Sequence, residues 1–343
     1  MSGTSFDGVD VALIKTDGYN FIENINSHCI KYNKYEKELY FNSITSNYIK
    51  LAEIINNKHI TAIERILKDS KNKIDVIGLH GQTFFHNPTA RWTWQYIDSR
   101  MIVNKFKINV VSDFRIADIN NGGEGAPLVP IFHKKLLSNQ PFKLPVGLLN
   151  IGGVSNITII KNNNDFLGFD TGPGNGPLDA LVNIRLKQGM DRNGDISKKG
   201  TVNEIVKNKT LVHLNKIRKT ISYDRKYLDN ICLSNISSLN TEDALATLVD
   251  VITDVICDKI RKFNLKKLVV IGGGRKNKNL IASIKNKIKS DILVAEDLGW
   301  DGDSLEAQAF GYLAVRSILG KAITFKTTTG VRKPCTGGSL YYY

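Results

Sequence analysis

The segment Gly168-Phe169-Asp170-Thr171-Gly172-Pro173-Gly174-Asn175-Gly176-Pro177-Leu178-Asp179-Ala180 limits the possible folds more than any other part of the chain. An apolar, strand-like run over residues 144–160 precedes it, and Leu178, Leu181, Val182 and Leu186 follow at helical spacing. Three glycines and a proline within residues 172–176 let the backbone approach an anion closely. Each non-proline residue there offers an N–H, and the start of the next helix adds partial positive charge. Asp170 at the strand end and Asp179 in the first helical turn flank the loop. An ordinary strand–turn–helix connection uses the same residue types, so the partner segments decide between the two readings.

The first partner is Met1-Ser2-Gly3-Thr4-Ser5-Phe6-Asp7-Gly8-Val9-Asp10, a small, hydroxyl-rich turn that runs into an alternating strand. The second is a buried-type strand, residues 268–271, that breaks on Gly272-Gly273-Gly274-Arg275-Lys276-Asn277 before a helix. Two strand–turn anion sites followed by a glycine-rich strand end resemble the nucleotide-binding plan of the actin, hexokinase and Hsp70 superfamily. The phosphate loop G-x-x-x-x-G-K-[ST] is absent, and so is a dinucleotide fingerprint after a strand.

The chain has 343 residues, enough for two domains and a large core. Strands are expected over 9–14, 74–79, 107–112, 267–271 and 292–295, with a hairpin over 144–160 turning near Gly152-Gly153. Helices are expected over 35–68, where Leu39, Ile44, Ile49, Ile54, Ile55, Ile63 and Ile66 mark the apolar face, and over 129–137, 241–263 and 304–319. In the last of these Asp303 is placed as N-cap, with Glu306 three residues on. This alternation, with an anion-binding turn opening each half, predicts an α/β protein of two related lobes with a cleft between them. The resemblance to the superfamily implies a two-lobed actin/hexokinase/Hsp70-like (ribonuclease H-like) fold with an interlobe ATP and sugar cleft. The division is expected near residues 125–150, as an N-terminal lobe 1–130 and a C-terminal lobe 131–343.

The net charge of +14, from 47 basic and 33 acidic side chains, is compatible with a nucleic-acid partner. The lysines are, however, dispersed among asparagines, without a basic block interleaved with aromatics, which fits solvated faces instead. A positive field also attracts an anionic substrate. Cys29, Cys232, Cys257 and Cys335 show no metal spacing and fit reduced thiols of a cytoplasmic protein. Neither a membrane span nor an export signal is expected.

Polar residues at strand ends are where an α/β protein places its chemistry. His80-Gly81-Gln82-Thr83 and Asp113-Phe114-Arg115-Ile116-Ala117-Asp118 both follow strands and could form a polyol-binding rim, with Glu306 and Asp303 lining the same cleft. His86, His133 and His213 have no partner spacing and are read as structural.

Taken together, Met1 to Gly8, His80-Gly81-Gln82-Thr83, Asp113-Phe114-Arg115, Gly122-Gly123-Glu124-Gly125-Ala126-Pro127-Leu128-Val129-Pro130 and Asn150-Ile151-Gly152-Gly153 closely resemble one family. Residues 168–179, Gly272-Gly273-Gly274 with Asn277, and Asp303 with Glu306-Ala307-Gln308-Ala309-Phe310 extend the match over nearly the whole chain. The chain is similar to the anhydro-N-acetylmuramic acid kinases. The resemblance implies ATP-dependent opening and phosphorylation of 1,6-anhydro-N-acetylmuramic acid to N-acetylmuramic acid 6-phosphate in cell-wall recycling, with Mg²⁺ and a homodimeric assembly. It implies Asp179 as the catalytic base. ATP contacts would come from Gly3, Thr4, Ser5, Phe6, Asp7, Gly8, Val9, Asp10, Asp170, Thr171, Gly172, Pro173, Gly174, Asn175, Gly272, Gly273, Gly274 and Asn277. His80, Gln82, Thr83, Asp113, Arg115, Asp118 and Glu306 would bind the sugar, and Asp7 the metal.

The chain departs from the family pattern twice. Family members carry a short strand ahead of the Met1–Gly8 turn, so the first sheet is expected to lack an element. Around residues 207–230 they carry a proline-rich stretch with Ser-Thr-Gly-Arg-Glu, where this chain reads Arg218-Lys219-Thr220-Ile221-Ser222-Tyr223-Asp224-Arg225 and leaves Arg225 without an assigned role. The alternatives are another sugar kinase of the superfamily and a non-catalytic ATP-binding module. The intact Asp179 and the lack of an appended peptide-binding domain speak against the module.

Overall fold

The computed structural model describes the chain except Thr4, residues 44–46, Asn72 and residues 218–222, together with the side chains of Asn42 and Ser43. The expected phosphate contact of Thr4, the apolar point Ile44 and the stretch Arg218 to Ser222 therefore lie outside the described residues. Two compact units emerge: Met1–Leu136 with Ser304–Tyr343, and Leu137–Asp303. The expected second lobe, 131–343, is thus corrected at its end, because the last segment packs into the first unit.

The first unit contains strands β1 (Gly8–Thr16), β2 (Ile22–Lys31), β3 (Val76–Gly78), β4 (Gln82–Asn87), β5 (Trp92–Tyr96) and β6 (Asn109–Ser112). Between them run helices α1 (Lys34–Ser43), α2 (Tyr48–Lys68), α3 (Ser99–Phe106), α4 (Ile116–Asn120) and α5 (Pro130–Ser138), the unit boundary falling inside α5. The strand β1 pairs antiparallel with β2, Val9 opposite Ile30, with a register shift between Leu13 and Ile14. Phe6 does not line a phosphate turn. It is fully buried, stacked on Tyr32 and Tyr40 at centroid distances of 3.7 and 4.2 Å, and it anchors a core with Val9, Leu51 and Ile55. Burying a ring of that size is worth about 2–3 kcal/mol, which explains why the residue turns inward.

The strand β3 pairs parallel with β6, Ile77 opposite Val110. No ladder joins β1 to β3; a cavity of about 380 Å³ lies between them, lined by Val11, Leu13, Ile63, Ile77 and Ala307 among others. The strand β3 is only half-buried.

The second unit is built on one five-stranded sheet in the order β11-β10-β7-β8-β9. Its strands are β7 (Val146–Ile151), β8 (Val154–Ile160), β9 (Phe166–Pro173), β10 (Lys267–Ile271) and β11 (Asp291–Val294). The hairpin of β7 and β8 turns at Gly152 and Gly153 as the sequence predicts, and β10 runs parallel to β7. Helices α6 (Gly176–Leu186), α7 (Glu204–Asn215), α8 (Arg225–Ser234), α9 (Thr241–Arg261) and α10 (Lys278–Lys287) complete the unit. The apolar stripe of α9, including Leu245, Leu248, Ile252 and Ile256, is buried in the main core. Caps follow simple rules: Asn203, Asp224 and Asn240 each accept the N–H three residues on.

Helix α11 (Leu305–Ile318), α12 (Lys326–Thr329) and strand β12 (Ser339–Tyr341) finish the first unit. A Cβ on Gly78 would lie 2.3 Å from the Phe310 carbonyl oxygen, so α11 docks backbone against backbone on β3. The strand β12 pairs antiparallel with β6, Leu340 opposite Val111. Ser304, not Asp303, occupies the cap position of α11. Asp303 is drawn away by Arg275 at 2.9 Å and Lys276 at 2.6 Å.

Four imidazoles of the first unit are kept neutral chiefly by burial. His59 and His133 are each pushed down to about 3, His86 to about 4, and His80 well below its ordinary range. Unfolded histidines take up protons near pH 6.5. The unfolded state therefore binds more protons than the folded one below that pH, and stability falls as pH drops from about 6.5 toward 4. Urea midpoints should hold between pH 8 and 7 and then decline across that window, less steeply in His59→Leu. A midpoint constant down to about pH 5 would contradict neutral burial of these rings.

Candidate active site

The second unit's site grows from the hairpin turn. Gly174 N donates to Gly153 O at 3.0 Å, Asn175 N to Gly152 O at 2.7 Å and Gly176 N to Gly153 O at 3.1 Å. The glycines allow this approach: a Cβ on Gly174 would lie 2.2 Å from Gly152 O. The segment expected to cradle phosphate with its own N–H groups is therefore corrected. Those of Gly174, Asn175 and Gly176 already clamp the turn, Pro173 has none, and Asp170 and Gly172 lie in the ladder with β8. Thr171 is buried and donates to Ser155 O, and Asp170 accepts from Tyr223 N at 2.8 Å. Within the turn itself Gly152 N donates to Val154 O at 3.2 Å, so Gly152-Gly153 offers a surface bare of side chains beside the clamp.

Two more glycine-dependent approaches meet this turn. Gly272 has φ +76°, and a Cβ there would lie 2.2 Å from Asn150 Oδ1 and 2.7 Å from Ile151 O. A Cβ on Gly274 would meet Ile151 Cγ2 at 2.4 Å, and one on Gly273 would lie 3.5 Å from Asn175 Nδ2. Asn277, by contrast, is buried and caps α10, its Oδ1 accepting from Leu280 N at 3.0 Å. Asp179 sits half-buried in the first turn of α6, where its N–H donates to Asn175 O at 2.9 Å. Arg225 and Asp229 pack on the same turn, paired at 3.3 Å, and burial pushes the Asp229 carboxyl up to about 6 against the pull of Arg225.

In the first unit, Phe6 N donates to Gly3 O, closing a tight turn at the start of the chain. Gly8 packs within the β1–β2 pair, where a Cβ would lie 2.8 Å from Cys29 Sγ. Gly8 and Val9, like Phe6, therefore serve packing. Asp7 is a poor metal ligand, since its exposed carboxylate is held by Lys37 at 2.5 Å. Among the described residues no group of three or more His, Cys, Asp or Glu side chains is placed to hold a metal ion.

The expected sugar residues separate into two sets. Gln82 is fully buried and internally satisfied: it accepts from Ser2 Oγ and donates to Gly3 O and Tyr40 OH. Asp118 is also buried, accepting from Gly125 N at 2.7 Å and Thr329 Oγ1 at 2.6 Å. Both tie the scaffold together through these bonds. Thr83 lends its carbonyl to Tyr40 OH, and Asp113 accepts from Tyr341 OH at 2.9 Å.

His80, Arg115 and Glu306 form the other set. The His80 Nδ1 lies 2.8 Å from Gly81 O, and Nε2 accepts from Arg115 Nε at 3.2 Å and Nη2 at 2.9 Å, which fixes a neutral ring protonated on Nδ1. Arg115 also donates to Gly125 O at 2.6 Å, tying the 120–127 loop to the end of β3. Solvent reaches Glu306, yet dense protein surrounds its carboxyl. Loss of hydration and the neighbouring Asp10 hold it above the ordinary carboxylate range, opposed by Arg115 and the amino terminus.

The family model described as anhydro-N-acetylmuramic acid kinase matches residues 1–343. An anhydro-N-acetylmuramic acid kinase of Pelagibacter ubique is 39% identical, covering 99% of this chain and 96% of that protein. One of Zymomonas mobilis is 37% identical, covering 100% and 98%. Among solved structures, a ROK family glucokinase from Streptomyces griseus in complex with glucose and AMPPNP gives a TM-score of 0.43 at 10% identity, covering 90% of this chain and 96% of that one.

The close approaches at the glycines yield a direct test. Gly272→Ala combines a positive φ with three sub-3 Å contacts, to Asn150 Oδ1 and to the Ile151 carbonyl carbon and oxygen, and should cost about 2–5 kcal/mol of stability. Gly299 has φ +69° but open space around it, so Gly299→Ala should cost only about 1 kcal/mol. Equal losses in urea titrations would show that backbone conformation alone, and not contact with Asn150 and Ile151, makes glycine necessary at 272.

Proposed function

The chain belongs to the anhydro-N-acetylmuramic acid kinase family, and from that premise we propose how its residues divide the work. The activity is that of the family: ATP-dependent opening of 1,6-anhydro-N-acetylmuramic acid and its phosphorylation to N-acetylmuramic acid 6-phosphate. Water adds to the anomeric carbon, the bond from that carbon to the bridging O6 breaks, and O6 takes the γ-phosphoryl group while ADP leaves.

Asp179 is the general base that takes the proton of the attacking water. The observation that carries this assignment is its place in the first turn of α6, a helix whose start is clamped by hydrogen bonds to Gly152 and Gly153. A base must be held within hydrogen-bond reach of the proton it removes, and such a clamp gives Asp179 a fixed origin. The phosphates of ATP lie against the second unit's glycine turns, Gly152-Gly153 and Gly272-Gly273-Gly274, with Asn175 beside them. These turns fit a polyphosphate because side chains are missing where the backbones converge.

His80, Arg115 and Glu306 bind the sugar. The neutral His80 orients the Arg115 guanidinium, and Glu306 offers an acceptor to sugar hydroxyls. Mg²⁺ accompanies the nucleotide on this reading. Asp7 does not fit as its ligand, and no step here runs through the ion. The protein works in the cytoplasm, and among the described residues no helix is long and apolar enough to cross a membrane.

Asp179→Asn keeps the side chain's size and removes the basic lone pair. Turnover of anhydro-N-acetylmuramic acid should fall by about 10²–10⁴-fold, while ATP binding measured by calorimetry stays near the wild-type value. Retention of more than about a tenth of wild-type turnover would exclude Asp179 as the base.

A further inference from the structure

Arg225 is the first residue of α8, beyond a cap made by Asp224. Its side chain crosses the hairpin turn so closely that a Cβ on Gly153 would lie 2.8 Å from its Cδ and 2.9 Å from its Nε. On the other side, a Cβ on Gly176 would lie 3.1 Å from Arg225 Nε and 2.4 Å from Asp229 Oδ1. The guanidinium is thus wedged between the Gly152-Gly153 turn and the residue that starts α6, the helix bearing Asp179. Two glycines make room for it.

The pairing is incomplete in an informative way. Nε donates to Asp229 Oδ2 at 3.3 Å, and among the described residues the two Nη groups make no hydrogen bond. Asp229 Oδ1 is buried and also lacks a hydrogen-bond partner. The Arg225 side chain is 24% exposed and that of Asp229 14%, so neither is a solvated surface group. A purely structural ion pair satisfies both partners, because an unpaired buried polar group is costly. Here the carboxylate holds one N–H and the outer fork, with four N–H groups, is left for a ligand. A planar fork beside a glycine turn and a helix start matches phosphate oxygens, which arginine binds in bidentate fashion.

We propose that Arg225 binds the terminal phosphates of the nucleotide, and that Asp229 is a positioning residue that holds Nε so that the Nη edge faces them. The proposal rests on the nucleotide reading given above. It gives the second unit a cation for its phosphate site, which the glycine turns by themselves lack, and it places positive charge where charge moves during phosphoryl transfer.

The test is calorimetry with a nonhydrolysable ATP analogue and with AMP, alongside thermal melting. Arg225→Met keeps the stem and removes the fork. Affinity for the analogue should fall by about 10–100-fold, with AMP affinity and melting temperature unchanged and partial recovery in Arg225→Lys. Asp229→Leu should weaken the analogue in the same selective way, and Asp229→Asn, whose amide oxygen still accepts from Nε, should restore it. Unchanged analogue affinity in Arg225→Met overturns the proposal, as does an equal loss for analogue and AMP, the sign of a structural role. If Asp229→Asn behaves like Asp229→Leu, the positioning role fails. A wild-type protein that binds neither nucleotide removes the nucleotide reading itself, and the role of Arg225 with it.

Discussion

Three backbone hydrogen bonds, from Gly174, Asn175 and Gly176 to the carbonyls of Gly152 and Gly153, set the geometry of the second unit. Each contributes only about 1 kcal/mol net. Their importance is positional, because they fix where β9 ends and where α6 begins, and hence the position of Asp179. The same contacts leave no room for side chains, so the turn presents bare backbone on one side and the Arg225–Asp229 pair on the other. From β10, Gly272 and Gly274 press on Asn150 and Ile151 and hold the β7 end of the turn from behind.

The first unit reaches a comparable rigidity through side chains. Asp118 ties Gly125 to Thr329, and Arg115 ties the carbonyl of the same glycine to His80. The 120–127 loop is thereby held at one residue from both faces. Burial keeps His80 uncharged, which leaves its Nε2 lone pair free to accept from the guanidinium. A protonated ring would lose that acceptor and set two cations side by side, so the arrangement depends on the ring staying dry.

The sequence disclosed elements better than it disclosed partners. The hairpin at 144–160 and the strand Lys267–Ile271 were legible because apolar runs end on glycines, which is a local signal. The family was legible because many weak motifs occur in one order. Gln82, Asp118 and Asn277 were read as ligand contacts because they are polar and follow strands. Their hydrogen bonds are instead taken by Tyr40, Thr329 and Leu280, partners 42, 211 and 3 residues away. For Gln82 and Asp118 residue type and spacing cannot report such a choice, since it is made only when the chain closes, whereas the Asn277 cap is a local signal at the start of α10. Phe6 shows the same limit: beside Asp7 and Gly8 it reads as part of a turn, and only the distant rings of Tyr32 and Tyr40 turn it into core. The strand β2, Ile22–Lys31, went unread because its exposed positions break any simple alternation. Arg225 drew attention only as a departure from a pattern, and its neighbours Gly153 and Gly176 lie far away in the chain.

The second unit is one continuous stretch, Leu137–Asp303, whereas the first is assembled from both ends of the described chain. On a ribosome this imposes an order. Residues 137–303 can close their sheet over α9 as soon as they emerge. The first unit, although begun earlier, must wait for Ser304–Tyr343 before α11 can cover β3 and β12 can pair with β6. At about 5–20 residues per second, that wait lasts roughly 10–40 s. Through that interval the apolar faces of β1 and β3 and the free edge of β6 are uncovered, and nascent-chain chaperones have their longest access to the half of the molecule that was made first.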